Sequence, residues 1–151
     1  MKPIRVLFVC HGNICRSTMA EYVFKDMVRK LGREDEFYID SAATSYEEIG
    51  NGVHRGTRRK LAEVGIPCGD HRARRLKKEE YDEYDYLIGM DRENMYYMKR
   101  ICDGDPEGKM YSLLSFAGLD RDIADPWYTG NFDATYDDVC LGLNAFLATL
   151  S

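Results

Sequence analysis

Cys10 and Arg16 are the residues whose types and spacing first indicate chemistry, because a short loop containing Gly12 and Asn13 separates them. A loop of this length can curl around one tetrahedral oxyanion, and a guanidinium matches two oxygens of a phosphate. Backbone N–H groups at the start of a helix and the nearby cation favour the thiolate of Cys10, which is the nucleophilic form. The spacing predicts a nucleophile and an anion clamp in one ring. The alternative is that Cys10 is a small core residue ending a strand.

Asp125 is the candidate acid. Pro126 fixes its own φ and biases Asp125 towards an extended conformation, and Trp127 and Tyr128 follow directly. A carboxyl held in such a loop, over a pocket with an apolar wall, loses hydration, and this favours its protonated form. An aryl leaving group can lie against the same wall. Cleavage of a phosphate ester needs this acid, because a phenolate or alkoxide leaves poorly without a proton. An isolated Asp-Pro is also a common turn starter, so the assignment depends on the Cys10 loop.

The segments around the Cys10 loop are typical of a buried strand and an amphipathic helix. Residues 4–9 are apolar apart from Arg5, which indicates a strand covered on both faces. Gly12 and Asn13 end this strand, since both tolerate a positive φ. A helix is predicted over residues 17–30. Ser17 or Thr18 is the predicted cap, and Glu21 completes a capping box with Thr18.

Further periodic segments predict an alternating α/β chain. Strands are expected at residues 37–42, 86–89 and 109–114, and helices at 57–64, 77–84, 92–102 and 136–150. The predicted architecture is one three-layer α/β domain over residues 1–151. Its sheet would have four mostly parallel strands, with helices on both faces.

Composition excludes several functional classes. The chain has 151 residues, 21 Lys and Arg, 26 Asp and Glu and a net charge of −5, which argues against nucleic acid as a partner. No run of about 18 apolar residues and no apolar leader is present, so no membrane association is expected. The 5 Cys show no metal-like spacing and suggest free thiols in a reducing compartment, for which cytoplasm is the default.

Residues 9–17, Val-Cys-His-Gly-Asn-Ile-Cys-Arg-Ser, resemble the signature of the low-molecular-weight protein tyrosine phosphatases. Residues 40–45, 71–74, 90–91 and 125–128 match further motifs of that family, so the resemblance covers nearly the whole chain. It implies a Rossmann-like phosphatase fold and hydrolysis of protein phosphotyrosine, and of small aryl phosphates, through a cysteinyl-phosphate intermediate. The implied partners are phosphotyrosine-containing proteins, with inorganic phosphate as product and no cofactor or metal.

The resemblance also assigns roles to individual residues. Cys10, Arg16 and Asp125 are the expected catalytic residues. The expected substrate- and phosphate-binding residues are His11, Gly12, Asn13, Ile14, Cys15, Ser17, Trp127 and Tyr128. Ser41 and His71 are expected to support the loop. Asp91 either supports the loop or simply caps the next helix. A reversible Cys10–Cys15 disulfide under oxidant is also implied.

The sequence departs from the family pattern mainly at residues 46–55, where Glu47 or Glu48 replaces a cleft residue that is often aromatic or apolar. An acidic residue there would disfavour acidic peptides. Three alternatives stay open: an arsenate reductase, a phosphoarginine phosphatase and a non-catalytic phosphate-binding module. The absence of Cys between Cys68 and Cys102 argues against an arsenate reductase. Ile14 argues against a phosphoarginine phosphatase, because those enzymes typically have Thr at this position.

Overall fold

A parallel four-stranded sheet forms the centre of the computed structural model, which describes residues 2–150. The strands are β1 (Ile4–Cys10), β2 (Phe37–Ala43), β3 (Tyr86–Gly89) and β4 (Met110–Ser112). Their order is β2-β1-β3-β4, and the three described pairings are all parallel. This confirms the predicted α/β fold. The carboxyl ends of the strands meet at one edge, as parallel pairing requires.

The helices connect and cover these strands. They are α1 (Arg16–Lys30), α2 (Arg55–Glu63), α3 (Glu80–Glu83), α4 (Arg92–Ile101), α5 (Pro126–Thr129) and α6 (Phe132–Ala148), with 3₁₀ turns at Glu34–Glu36 and Leu113–Ala117. Among residues 2–150, none of these helices combines the length and the apolar character needed to cross a membrane.

Strand β1 is buried on both faces, which explains its nearly continuous apolar sequence. Val6 and Phe8 belong to the core cluster that includes side chains of α1 and α6. Leu7 and Val9 belong to a second cluster, which includes Met98 of α4. Helices therefore cover both faces of the sheet, and Cys10 at the end of β1 is held by a rigid, fully packed strand.

Several predicted boundaries were wrong for identifiable reasons. Strand β4 ends at Ser112 instead of continuing to residue 114, because the chain turns into a 3₁₀ helix that packs against α6. Helix α6 begins at Phe132, four residues earlier than predicted, because the Asn131 side chain accepts a hydrogen bond from the Ala134 N–H. Helix α3 spans only Glu80–Glu83, within the predicted range of 77–84.

The predicted capping box of α1 does not form. The helix has Cys15 at its N-cap position and no side-chain cap. The Thr18 hydroxyl donates to the carbonyl oxygens of Ile14 and Cys15, at 2.9 and 3.1 Å. The Glu21 carboxylate accepts instead from the Ser41 hydroxyl at 2.5 Å. Glu21 is buried, and a buried carboxylate needs hydrogen-bond donors, which the Ser41 hydroxyl and the Lys25 ammonium supply.

Candidate active site

The loop between β1 and α1 surrounds the Cys10 sulfur with polar groups. The Asn13 backbone N–H donates to Cys10 Sγ at 3.3 Å, and Ser17 Oγ lies 3.1 Å from the same sulfur. Asn13 has a φ of 60°, which places it in the left-handed region that asparagine tolerates better than most residues. Residues 11–15 belong to neither strand nor helix, and the first N–H groups of α1 have no intrahelical acceptor. The surroundings of the sulfur therefore suit an anion.

A buried network fixes the unusual conformation of Asn13. Its side-chain amide donates to Ser17 Oγ at 2.8 Å and to Ser41 Oγ at 2.9 Å. Its Oδ1 accepts from His71 Nε2 at 2.7 Å and from the Arg74 N–H at 3.2 Å. The structure thus brings Ser41 and His71 onto the same side chain. They lie behind the loop and away from the cleft.

Arg16 is the largest fully buried side chain, with 2% of its surface exposed. Its Nη1 donates to Asp91 Oδ2 at 2.6 Å and to the Ile123 carbonyl at 2.8 Å, and Nη2 lies 3.4 Å from Asp125 Oδ2. Burial alone would lower the pKa of Arg16, but the Cys10 sulfur and the Asp91 carboxylate raise it above its ordinary value. Arg16 therefore remains a cation at this buried position.

Asp125 lies at the end of the loop in which the sequence placed it, as the N-cap residue of α5. Its Oδ1 accepts from the Trp127 N–H at 3.0 Å, so the carboxyl caps the one-turn helix. Its other oxygen faces Arg16. Trp127 is 56% exposed and Tyr128 is 81% exposed. The two aromatic side chains therefore stand at the surface beside the carboxyl.

These groups surround a cleft of about 140 Å³. Its lining residues are Cys10, His11, Gly12, Ile14, Cys15, Arg16, Glu47, Glu48, Asp125, Trp127 and Tyr128. Of the residues expected to bind phosphate, Asn13 and Ser17 do not line the cleft, and both are fully buried behind it. The nucleophile, the arginine and the acid, which are widely separated in sequence, therefore open onto one small space.

The mouth of the cleft is acidic. Glu47 lies in the loop before α2 and pairs with His11 Nε2. His11 Nδ1 lies 3.8 Å from Glu93 of α4, on the other side of the ring. Sequence reasoning did not identify Glu93, because nothing in its local pattern distinguishes it from any exposed helix carboxylate. His11 thus lies between carboxylates of two separate segments.

His54 was also missed. Its ring stacks on Phe132 and makes an edge-to-face contact with Trp127, beside the proposed acid. Burial and the neighbouring Arg55 lower the pKa of His54 below its ordinary value. Its only sequence signal is its position before a helix, which indicates a cap but not the ring contacts.

One group among residues 2–150 brings together three candidate metal ligands, Glu21, Asp40 and His71. Each is already satisfied by protein partners: Glu21 by Lys25 and Ser41, Asp40 by Arg74, and His71 by Asn13. The arrangement is that of a hydrogen-bonded support for the loop.

The fold and the site together define a class: an α/β phosphatase in which a Cys-x₅-Arg loop joins a central strand to a helix. A family model described as "Low molecular weight phosphotyrosine protein phosphatase" matches residues 5–151. The chain belongs to this family, as the sequence predicted.

Individual relatives agree with this assignment. The chain is 38% identical to the low molecular weight protein-tyrosine-phosphatase YfkJ of Bacillus subtilis, over 97% of this chain and 96% of the relative. It is 37% identical to a phosphatase of the family from Saccharomyces cerevisiae, over 90% and 88% of the two chains. The crystal structure of YfkJ superposes with a TM-score of 0.95 at 36% identity, covering 99% and 96%. A structure described as a drosophila arginine phosphatase gives a TM-score of 0.87 at 29% identity, covering 98% of each chain.

Proposed function

We propose that this chain hydrolyses phosphotyrosine in proteins, and small aryl phosphates, with Cys10 as nucleophile, Arg16 as anion clamp and Asp125 as general acid and base. The observation that carries the proposal is the convergence of these three side chains on one cleft, with Arg16 Nη2 3.4 Å from Asp125 Oδ2. Phosphate binding alone would need neither the thiol of Cys10 nor the carboxyl of Asp125 in the cleft.

In the first step the Cys10 thiolate attacks phosphorus in line and an S–P bond forms. Arg16 and the loop N–H groups hold the equatorial oxygens, and these fixed dipoles neutralise the charge of the transition state. The P–O bond to the tyrosyl group breaks as Asp125 donates its proton to the departing oxygen. Trp127 supplies an aromatic wall beside the leaving ring.

In the second step water attacks the cysteinyl phosphate. Asp125, now a carboxylate, accepts the proton of this water, the S–P bond breaks and inorganic phosphate is released. The Ser17 hydroxyl, 3.1 Å from the sulfur, stabilises the departing thiolate.

We propose that residues 1–151 act as one phosphatase domain in the cytoplasm. The location is supported by the free thiols of Cys10, Cys15, Cys68, Cys102 and Cys140.

A second candidate activity, on phosphoarginine, is favoured by the similarity to the drosophila arginine phosphatase structure. Ile14, whose side chain lines the cleft, argues for the tyrosyl substrate. An arsenate reductase relay is disfavoured because neither Cys68 nor Cys102 lines the cleft.

The test is hydrolysis of p-nitrophenyl phosphate and of matched phosphotyrosine and phosphoarginine peptides. Cys10→Ser should abolish turnover while it still binds phosphate, and Asp125→Ala should reduce turnover about 10²- to 10³-fold. Cys140→Ser, outside the cleft, is the matched thiol control. Full activity in Cys10→Ser, or a preference for the phosphoarginine peptide, would overturn the proposal.

A further inference from the structure

His54 connects the phosphate loop to the segment that carries Asp125. Its backbone N–H donates to the Ile14 carbonyl of the phosphate loop at 2.8 Å. Its Nδ1 accepts from the Gly56 N–H at 2.9 Å and so caps α2. Because Nδ1 is an acceptor, the neutral ring carries its proton on Nε2. Backbone and side chain together fix the ring relative to the phosphate loop.

The ring of His54 lies between two aromatic side chains. It stacks on Phe132, with the ring centres 5.3 Å apart and the planes at 20°. It meets Trp127 edge to face, with the centres 5.6 Å apart and the planes at 78°. Gly56 makes room for this arrangement, since a Cβ at that position would lie 2.3 Å from the Phe132 ring. Phe132 therefore supports the imidazole, and the imidazole in turn supports Trp127.

The position of Trp127 is coupled to that of the Asp125 carboxyl. The Trp127 N–H donates to Asp125 Oδ1 at 3.0 Å, within a helix of a single turn in which only Pro126 is buried. Such a short helix has little intrinsic stability, so contacts outside it must hold its orientation. Trp127 is more than half exposed, and His54 is its aromatic partner among the described residues. Loss of this contact would leave the carboxyl free to move relative to Cys10.

We infer that His54 is a positioning residue for the general acid: by supporting Trp127, it holds Asp125 over the phosphate loop. This inference rests on the proposed function. The charged groups that face the imidazole are Arg55 of α2, Glu48 of the loop before it, and Asp125 of the opposite segment. Burial, and then Arg55, lower the pKa of His54, so the ring is neutral near pH 7 and acts as an uncharged aromatic support.

The first test compares two esters with His54→Asn, which keeps a side-chain cap but removes the ring. Phenyl phosphate needs the acid, whereas p-nitrophenyl phosphate needs it less because its leaving group is a weaker base. We expect kcat/KM to fall about tenfold more for phenyl phosphate, with inhibition by inorganic phosphate unchanged within about twofold. In an Asp125→Asn background the same change should add little, because the two residues act as a unit. Arg59→Ala, an exposed change in the same helix, should leave both esters unaffected.

An equal fall on both esters, or a matching loss of phosphate inhibition, would overturn the inference, because either result means that the phosphate loop has been disturbed. An additive effect in the Asp125→Asn background would also overturn it. A wild-type protein inactive on every ester would instead refute the proposed function itself, so the two failures are distinguishable.

A second measurement needs no activity. Trp127 is the only tryptophan of the chain, and a protonated imidazole in contact with an indole quenches its emission. The fluorescence of the wild-type protein should fall as pH decreases, with a midpoint below the ordinary His value of about 6.5. His54→Phe, which keeps an aromatic ring, should lose this transition and retain the wild-type ratio between the two esters. If the transition persists in His54→Phe, it does not arise from the contact between His54 and Trp127, and the inference is contradicted.

Discussion

The Asp91 carboxylate serves Arg16 and helix α4 with separate oxygens. Oδ2 accepts from Arg16 Nη1 at 2.6 Å, and Oδ1 accepts from the Asn94 N–H at 2.7 Å and caps the helix. The two roles that the sequence offered as alternatives are therefore compatible. The orientation of the proposed anion clamp is tied to the start of α4, the helix that follows β3.

Replacing Asp91 should separate these two roles. Asp91→Ala removes both, and we expect the free energy of unfolding to fall by about 3 kcal/mol, because it leaves a buried guanidinium without its main partner. Asp91→Asn keeps a good cap, so its loss of stability should be about 1 kcal/mol smaller than that of Asp91→Ala. Both should reduce kcat/KM about tenfold. Urea denaturation with steady-state kinetics checks this, and identical stabilities of the two variants would contradict the capping role.

Asn13 should tolerate glycine better than alanine, against the usual trend for side-chain removal. Both changes delete the contacts to Ser41 and His71 and should weaken inhibition by phosphate about tenfold. Alanine must also adopt a φ near 60°, which costs it about 1 kcal/mol relative to glycine. Thermal unfolding of the two variants measures the difference. Equal stability would mean that the loop relaxes to another conformation.

Glu47 should make the cleft prefer phosphotyrosine flanked by basic residues. Its carboxylate is exposed at the mouth of the cleft, near Glu48. Glu47→Lys should lower kcat/KM about fivefold for a peptide with flanking Arg and raise it for one with flanking Glu, and both effects should shrink as salt increases. Glu83→Lys makes the same change in net charge at an exposed position just before the amino end of β3, opposite the strand ends that carry the cleft. If it shifts the preference equally, the effect is not local to the site.

The five thiols should differ sharply towards alkylation. Burial raises the pKa of Cys15, Cys68 and Cys140 above the ordinary thiol value, and it raises that of Cys102 to about 11. These four thiols remain protonated at pH 7 and should react slowly with an alkylating agent. The Cys10 sulfur differs from them because an amide N–H and Arg16 are its neighbours.

Limiting iodoacetamide at pH 7 should therefore modify Cys10 first and abolish activity, and inorganic phosphate should protect it. Raising the pH towards 10 should bring the partly exposed Cys68 and Cys140 into reaction before the buried Cys15 and Cys102. Peptide mapping by mass spectrometry identifies the order, and labelling of Cys68 before Cys10 would contradict it.

The sequence predicted the architecture and the Cys10–Arg16 loop, because strand and helix periodicities are local and parallel strands bring their carboxyl ends together. The place of Asp125 at the same cleft was expected from the resemblance to the phosphatase family, since no local pattern relates it to Cys10. The sequence misassigned Thr18 and Glu21, because a capping box is also a local pattern, while Glu21 in the folded chain lies behind the loop next to Ser41. Long-range contacts decided that outcome.

His54 could not have been found in this way. Its ring contacts join residues separated by more than seventy positions, and no periodicity encodes which aromatic residues will meet. The pairing of His11 with Glu47 could not be predicted from local patterns either, since it depends on how the loop before α2 folds back over the cleft.

The strand order gives β1 a neighbouring strand on each side. This arrangement limits how the activity could be transferred to another protein. Ser41, on β2, holds the loop from one flank, and Asp91, immediately after β3, holds Arg16 from the other. A graft of residues 10–17 into another doubly wound domain would bring Cys10 and Arg16 without either anchor, and without Asp125. The smallest portable unit of this enzyme is therefore three adjacent strand ends, which are far apart in the sequence, together with the segment that carries Asp125.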